Sequence, residues 1–135
     1  MPGIFSRIIA GEVPSFKIAE SASCYAFLDI SPLKRGHTLV VPRRETDLLF
    51  DLPEDEYNSL MLFSKKIAVA MRSVIPCKRI GMVVAGLEVP HAHIHLIPMD
   101  EISDLNFQNA KPVFSKEEFA STAEIIRKSF LSLPE

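Results

Sequence analysis

Apolar and polar positions recur along this chain in short segments, each with its own period. Phe5 to Ala10 (FSRIIA) is a short helical or turn-like stretch closed by Gly11. Phe16 to Ala19 and Cys24 to Leu28 are strand candidates, separated by the polar turn Glu20-Ser21-Ala22-Ser23. Ser31 to Gly36 is a loop, and His37 to Val41 (HTLVV) a β-branched strand stopped by Pro42. Pro53 suits the first turn of a helix, and Glu54, Asp55 and Glu56 favour its positive end. Tyr57, Leu60, Met61, Ile67, Ala68 and Met71 then recur at helical spacing and give that helix one apolar face. Ile80 to Val84 and Ala92 to Ile97 are two further strands. Ser115 with Glu118 makes a capping box, followed by the amphipathic set Phe119, Ala123, Ile126 and Phe130. This order predicts an α+β domain on a mainly antiparallel sheet, with a crossover where a whole helix follows the His37 strand.

Composition narrows the class without changing that picture. A chain of 135 residues is one domain by length, with the core spanning 3–99 and a C-terminal extension carrying a helix at about 115–132. Hydrophobic residues at 47% and charged residues at 24% describe a globular protein. A net charge of −2 with both signs interspersed argues against broad capture of a nucleic-acid backbone, so no nucleic-acid partner is expected. Cys24 and Cys77 lie far apart and outside metal-type spacing, as free thiols in a reducing compartment would. The N-terminal segment lacks a signal-peptide pattern, and no apolar run approaches the roughly 20 residues of a membrane span. A cytoplasmic location with no membrane partner is the expectation.

The candidate chemistry lies in the histidines. Of four, three are His91, His93 and His95, and the fourth, His37, opens the HTLVV strand. On an extended segment alternate residues share a face, so the three imidazoles would line one side while Ala92, Ile94 and Leu96 face the other. Adjacent imidazoles are poor core filler, because each ring nitrogen needs a partner once buried, and crowding disfavours protonating them all. A neutral imidazole is a competent nucleophile, and its neighbours can stabilise charge on the non-bridging oxygens of a phosphoryl group. Two other readings compete: satisfied structural histidines, and a zinc site, since His-x-His on a strand supplies two ligands.

Pro90-His91-Ala92-His93-Ile94-His95-Leu96-Ile97 resembles the signature of the histidine triad family. GIFSRIIAGEVPS (Gly3 to Ser15) and AFLDISPLKRGHTLVVPRRE (Ala26 to Glu45) are similar to that family's N-terminal and central blocks, in the same order. The resemblance, nearest to the Hint branch, implies an α+β fold with a five-stranded mainly antiparallel sheet and two main helices, pairing as a homodimer into a ten-stranded sheet. It implies that His93 attacks the α-phosphorus, that His95 bonds a non-bridging oxygen, that His91 lies near the leaving group, and that His37 buttresses the triad through a ring-to-ring hydrogen bond. Asp29 matches the residue holding the ribose hydroxyls, and Ile4, Phe5, Ile8, Val13, Leu28, Ile30 and Leu39 match positions enclosing base and sugar. Gly86, Glu88 and Val89 fall in the connection expected at the phosphate.

This chain departs from the pattern there. The loop is compressed to Ala85-Gly86-Leu87-Glu88-Val89-Pro90, with Glu88 where Ser or Thr is common, Leu87 where Gln is common and Ala85 where Asn is common. A carboxylate facing a phosphate would repel it, although loop backbone N–H groups can still bind the anion. Gly3 and Ser6 stand where many bacterial relatives carry a zinc-binding Cys-x-x-Cys pair, so neither a structural metal nor a cofactor is expected. The tail beyond Asp100 also differs from the short Hint C-terminus. The implied function is hydrolysis or transfer at the α-phosphorus of a purine nucleotide derivative, of the nucleoside phosphoramidate or adenylate type. The alternatives are a dinucleoside polyphosphate hydrolase and a nucleotide-binding module with little catalysis.

Overall fold

The computed structural model describes residues 2–134. Helix α1 (Ile4–Ile9) is followed by strands β1 (Lys17–Glu20), β2 (Cys24–Leu28) and β3 (Thr38–Pro42), helix α2 (Glu54–Val74), strands β4 (Arg79–Val83) and β5 (Ile94–Met99), and helix α3 (Lys116–Ser132). The five strands form one antiparallel sheet in the order β1-β2-β3-β5-β4, and α2 is the crossover between β3 and β4. The architecture is the expected α+β fold. No helix among the described residues is long and apolar enough to cross a membrane.

Local chemistry accounts for the helices. Ser115 and Glu118 close a reciprocal capping box at the start of α3, with bonds of 2.9 and 3.0 Å. Helix α2 begins one place later than Pro53, which takes the N-cap position without a side-chain cap; three acidic residues in its first turn offset the helix dipole. Its buried stripe is Leu60, Phe63, Ser64, Ile67, Ala70 and Met71, so Tyr57, Met61 and Ala68 flank the core rather than fill it.

Strands β2 and β3 are buried at every position, because both sheet faces are covered. One face carries α2 and α3 around Leu28, Val40, Leu60, Ile67, Ile94 and Ile126. The other holds a smaller cluster of Phe5 and Ile8 from α1 with Tyr25, Phe27, Leu39 and Val41. Truncating a wholly buried isoleucine such as Ile126 to alanine would remove about 2–5 kcal/mol.

One boundary bears on the site. The strand expected from Ala92 begins at Ile94, so His91 and His93 precede β5 and only His95 belongs to it. Extending the Val40↔Ile94 register outward would set Ala92 opposite Pro42, which has no N–H to offer the ladder. The Ala92 N–H turns instead to the Thr46 carbonyl at 2.7 Å. The His37 strand likewise begins one residue later, at Thr38.

Candidate active site

The four histidines gather on the α1 side of the sheet and at its rim, all of them buried. The His93 ring lies 5.0 Å from that of His95, and the His95 ring 5.2 Å from that of His37. Phe5 closes one end, edge-on to His93 at 5.1 Å and to His91 at 5.6 Å. Phe107 closes the other, edge-on to His95 at 4.9 Å and 6.4 Å from His37.

Backbone groups assign a proton position to each ring. The Leu33 N–H donates to Nδ1 of His37 at 3.0 Å, so the proton of neutral His37 sits on Nε2. That nitrogen lies 2.9 Å from Nδ1 of His95, which therefore accepts and leaves His95 with an Nε2–H. Nδ1 of His93 is 2.7 Å from the carbonyl of His91 and must donate to it, leaving Nε2 as a lone pair. Nε2 of His91 donates to the Pro42 carbonyl at 2.7 Å, and its Nδ1 is buried without a partner among the described residues. The array therefore holds one unprotonated nitrogen on His93 beside one N–H on His95, the pair that attack and charge stabilisation at phosphorus require.

Burial favours the neutral form of His37, His95 and His91. Burial, reinforced by the neighbouring His95 and by Lys111, pushes His37 down to about 3. Burial and then His93 push His95 down to about 4. Burial lowers His91 as well, opposed by its bond to Pro42 and by Glu45. Asp29, just beyond β2, is raised mainly by burial, and its Oδ1 accepts from the Ser31 N–H at 2.8 Å. Its other oxygen lies 3.6 Å from Nε2 of His37, but a neutral His37 whose N–H points at His95 makes no ion pair with it.

Strand alternation sorts the expected nucleoside contacts. Phe5, Ile8 and Leu39 share the triad-side cluster, with Val13 and Val89 packed against it. Ile4 and Ile30 are exposed, at 40% and 71%, and neither packs into that cluster. Leu28 does not join that cluster either. It packs into the helix-side core, because alternate residues of β2 point to opposite faces; the triad-side position is Phe27, two residues before Asp29. That alternation was sufficient to find Phe27 from sequence. In the compressed loop Gly86 takes a left-handed φ of +71°, Glu88 is exposed, and the Glu88 charge reaches Asp29 and raises it.

Glu45 and Phe107 carried no sequence signal. Oε1 of Glu45 accepts from the Gly3 N–H at 2.6 Å and from Oγ of Ser6 at 2.8 Å. These two residues flank Phe5 in sequence, so the carboxylate ties down the turn that sets Phe5 against His91 and His93.

Asp29, His37 and His95 present three ligand atoms within 4.8 Å of one another, which raises the question of a metal. The Leu33 N–H answers against it. A metal on Nε2 of His37 would drive the remaining proton to Nδ1, face to face with that backbone donor. A donor would then oppose a donor in a buried place. The residues fit a hydrogen-bonded pair better than an ion.

A family model described as HIT domain matches residues 10–102. Adenosine 5'-monophosphoramidase HNT1 of Saccharomyces cerevisiae is 40% identical over 104 residues, spanning 76% of this chain and 66% of that protein. A HIT-like protein of Mycobacterium tuberculosis, Rv1262c, is 31% identical over 134 residues, 96% of this chain and 93% of its own. Among solved structures, a Hit-like protein from Bartonella henselae superposes with a TM-score of 0.81 at 28% identity, covering 94% of this chain and 95% of that one.

Proposed function

The chain belongs to the histidine triad (HIT) family, and from that premise we propose that it cleaves purine nucleotide derivatives at the α-phosphorus through a nucleotidyl intermediate on His93. The observation that carries this reading is the fixed proton pattern, a lone pair on Nε2 of His93 beside the Nε2–H of His95. The lone pair forms a bond to phosphorus while the bond to the leaving group breaks; a leaving carboxylate departs with that bond's electron pair, and a leaving amine departs with the pair and a proton taken up from solvent. Water then attacks phosphorus, the P–N bond to His93 breaks, the pair returns to Nε2, and the water's extra proton passes to solvent. His95 donates to a non-bridging oxygen in both steps, and His91 lies toward the leaving group.

Asp29 accepts from the ribose hydroxyls, and Phe5, Ile8, Phe27 and Leu39, with Ile4, Val13 and Ile30 at the rim, wall the base. Gly86, Glu88 and Val89 border the phosphate. Two carboxylates, Asp29 and Glu88, share this region. Their field disfavours a substrate carrying many phosphate charges, which supports a phosphoramidate or adenylate over a dinucleoside polyphosphate. The likeness to an adenosine 5'-monophosphoramidase points the same way.

The reading includes a cytoplasmic homodimer joined at β4. This strand is one of the sheet's two edges, with Met82 and the adjoining Val84 exposed, and an unpaired edge invites a second strand. The decisive experiment on the chemistry is brief incubation with adenosine phosphoramidate labelled at phosphorus, quenched in alkali. Label should reside on His93, survive alkali and leave in acid, and His93→Ala should bind nucleotide without acquiring label. Parental turnover by His93→Ala would end the enzyme reading.

A further inference from the structure

The family match ends at residue 102, yet a residue beyond it touches the histidines. After β5 a short helical turn, Ile102–Leu105, redirects the chain, and it is firmly built. Asp104 Oδ2 accepts from the N–H groups of Asp100 and Glu101 at 2.8 and 3.1 Å. Nδ2 of Asn109 donates to the Ser103 carbonyl at 2.8 Å, and the Lys111 ammonium is held by the carbonyls of Phe107 and Asn109. This framework carries Phe107 back over the sheet rim to His95.

We propose that Phe107 is a positioning residue for His95: its ring, laid edge-on against His95 and beside His37, holds the His95 imidazole in its bonded orientation and keeps water from the His37–His95 hydrogen bond. The inference rests on the proposed role of His95 as donor to the phosphate. The His95 ring is steered by the bond to His37 at Nδ1, and a half-turn of the ring would replace that nitrogen by carbon and lose the bond. Three rings surround it, those of His93, His37 and Phe107. Phe107 is the one of these that stands partly in solvent, 38% exposed, so it separates the bonded pair from water. The charged and titratable groups facing the pair are Asp29, His93 and Lys111. Of these only His93 also packs its ring against His95, and as it is itself buried it leaves the solvent side of the pair to Phe107. The arrangement mirrors Phe5 on His93, with one aromatic from each end of the chain.

The test uses full-length protein labelled with nitrogen-15 in its histidine rings, without nucleotide, as parent, Phe107→Ala and Phe107→Leu. In the parent, His95 should show a single tautomer protonated at Nε2 and stay neutral down to about pH 4. Phe107→Ala should mix the tautomers and raise the His95 titration by about one pH unit as water enters. It should also lower kcat about tenfold with KM changed less than about twofold, as loss of orientation does. Phe107→Leu, which restores apolar cover, should recover most of the parental titration. An unchanged His95 tautomer and titration in Phe107→Ala would overturn the proposal, whatever happened to the rate. The ring measurement needs no turnover, so it stands apart from the labelling test of His93.

Discussion

Acidification from pH 7 to pH 5 should strip about 4 kcal/mol from the stability of this fold through two buried imidazoles. His37 and His95 ionise at about 3 and about 4 in the folded chain, against 6.5 for an exposed imidazole. Their contribution is fully present above 6.5, where neither state is protonated, and is lost as pH falls, because the unfolded chain takes up protons that the folded one refuses. At pH 5, about 1.5 units below the unfolded value, each ring costs about 2 kcal/mol at 1.36 kcal/mol per unit. His91, lowered by burial, acts in the same sense. The carboxylates lowered by their partners, such as Glu20 and Asp104, lose their contributions mainly at lower pH, and Asp29, raised by burial, works in the opposite direction and begins to do so at higher pH than they do. Urea unfolding at pH 7, 6 and 5 measures the effect. With a slope of about 2 kcal/mol per molar, the midpoint should fall by about 2 M, a large share of the 5–15 kcal/mol that holds a typical domain. His37→Gln should lose about half of this pH dependence, even if it is less stable at neutral pH. Equal midpoints at pH 7 and pH 5 would refute the claim that the fold buries these imidazoles uncharged.

Two further outcomes follow from contacts outside the histidines. Glu45→Ala removes the acceptor shared by Gly3 and Ser6, so α1 should hold Phe5 less firmly; KM for a nucleoside phosphoramidate should rise about fivefold with kcat changed less. An unaltered KM would show that the clasp does not support the nucleoside face. Met82→Lys places a charge on the open edge at β4 and should convert a dimer to monomer in sedimentation equilibrium, whereas a dimer that persists would move the interface elsewhere.

The sequence made the elements legible where local chemistry governs them. The Ser115–Glu118 capping box and the apolar spacing of α2 depend on neighbours three or four residues away, and both helices lie where that spacing placed them. The triad strand was harder. Its alternation marked one face, but Pro42, about fifty residues earlier, stops the ladder and leaves His91 and His93 outside β5. Leu28 and Phe27 could be separated by counting from Asp29. Phe107 could not, since it sits in an irregular stretch with no period, and a long-range turn brings it to His95. Glu45 was equally hidden, because its partners lie 39 and 42 residues away.

The proton pattern of the array depends on main-chain atoms to a degree that side-chain motifs do not reveal. In many histidine-based sites a carboxylate selects the tautomer. Here the carboxylate nearest His37 is Asp29, 3.6 Å from a nitrogen already committed to His95, and the selecting groups are the Leu33 N–H and the carbonyls of His91 and Pro42. A carboxylate orienter draws positive charge onto its histidine, whereas a backbone amide pointing at Nδ1 of His37 repels it. The first arrangement makes an imidazole a stronger base; the second keeps His37 and His95 neutral and fixes which nitrogen carries the proton. A nucleophile that attacks phosphorus needs its lone pair free, and a neutral neighbour presenting one N–H serves the phosphate oxygen without competing for that lone pair. The loop from Asp29 to His37 therefore does more than join β2 to β3. Its single amide at Leu33 sets a relay of two rings that ends at the Nε2–H of His95.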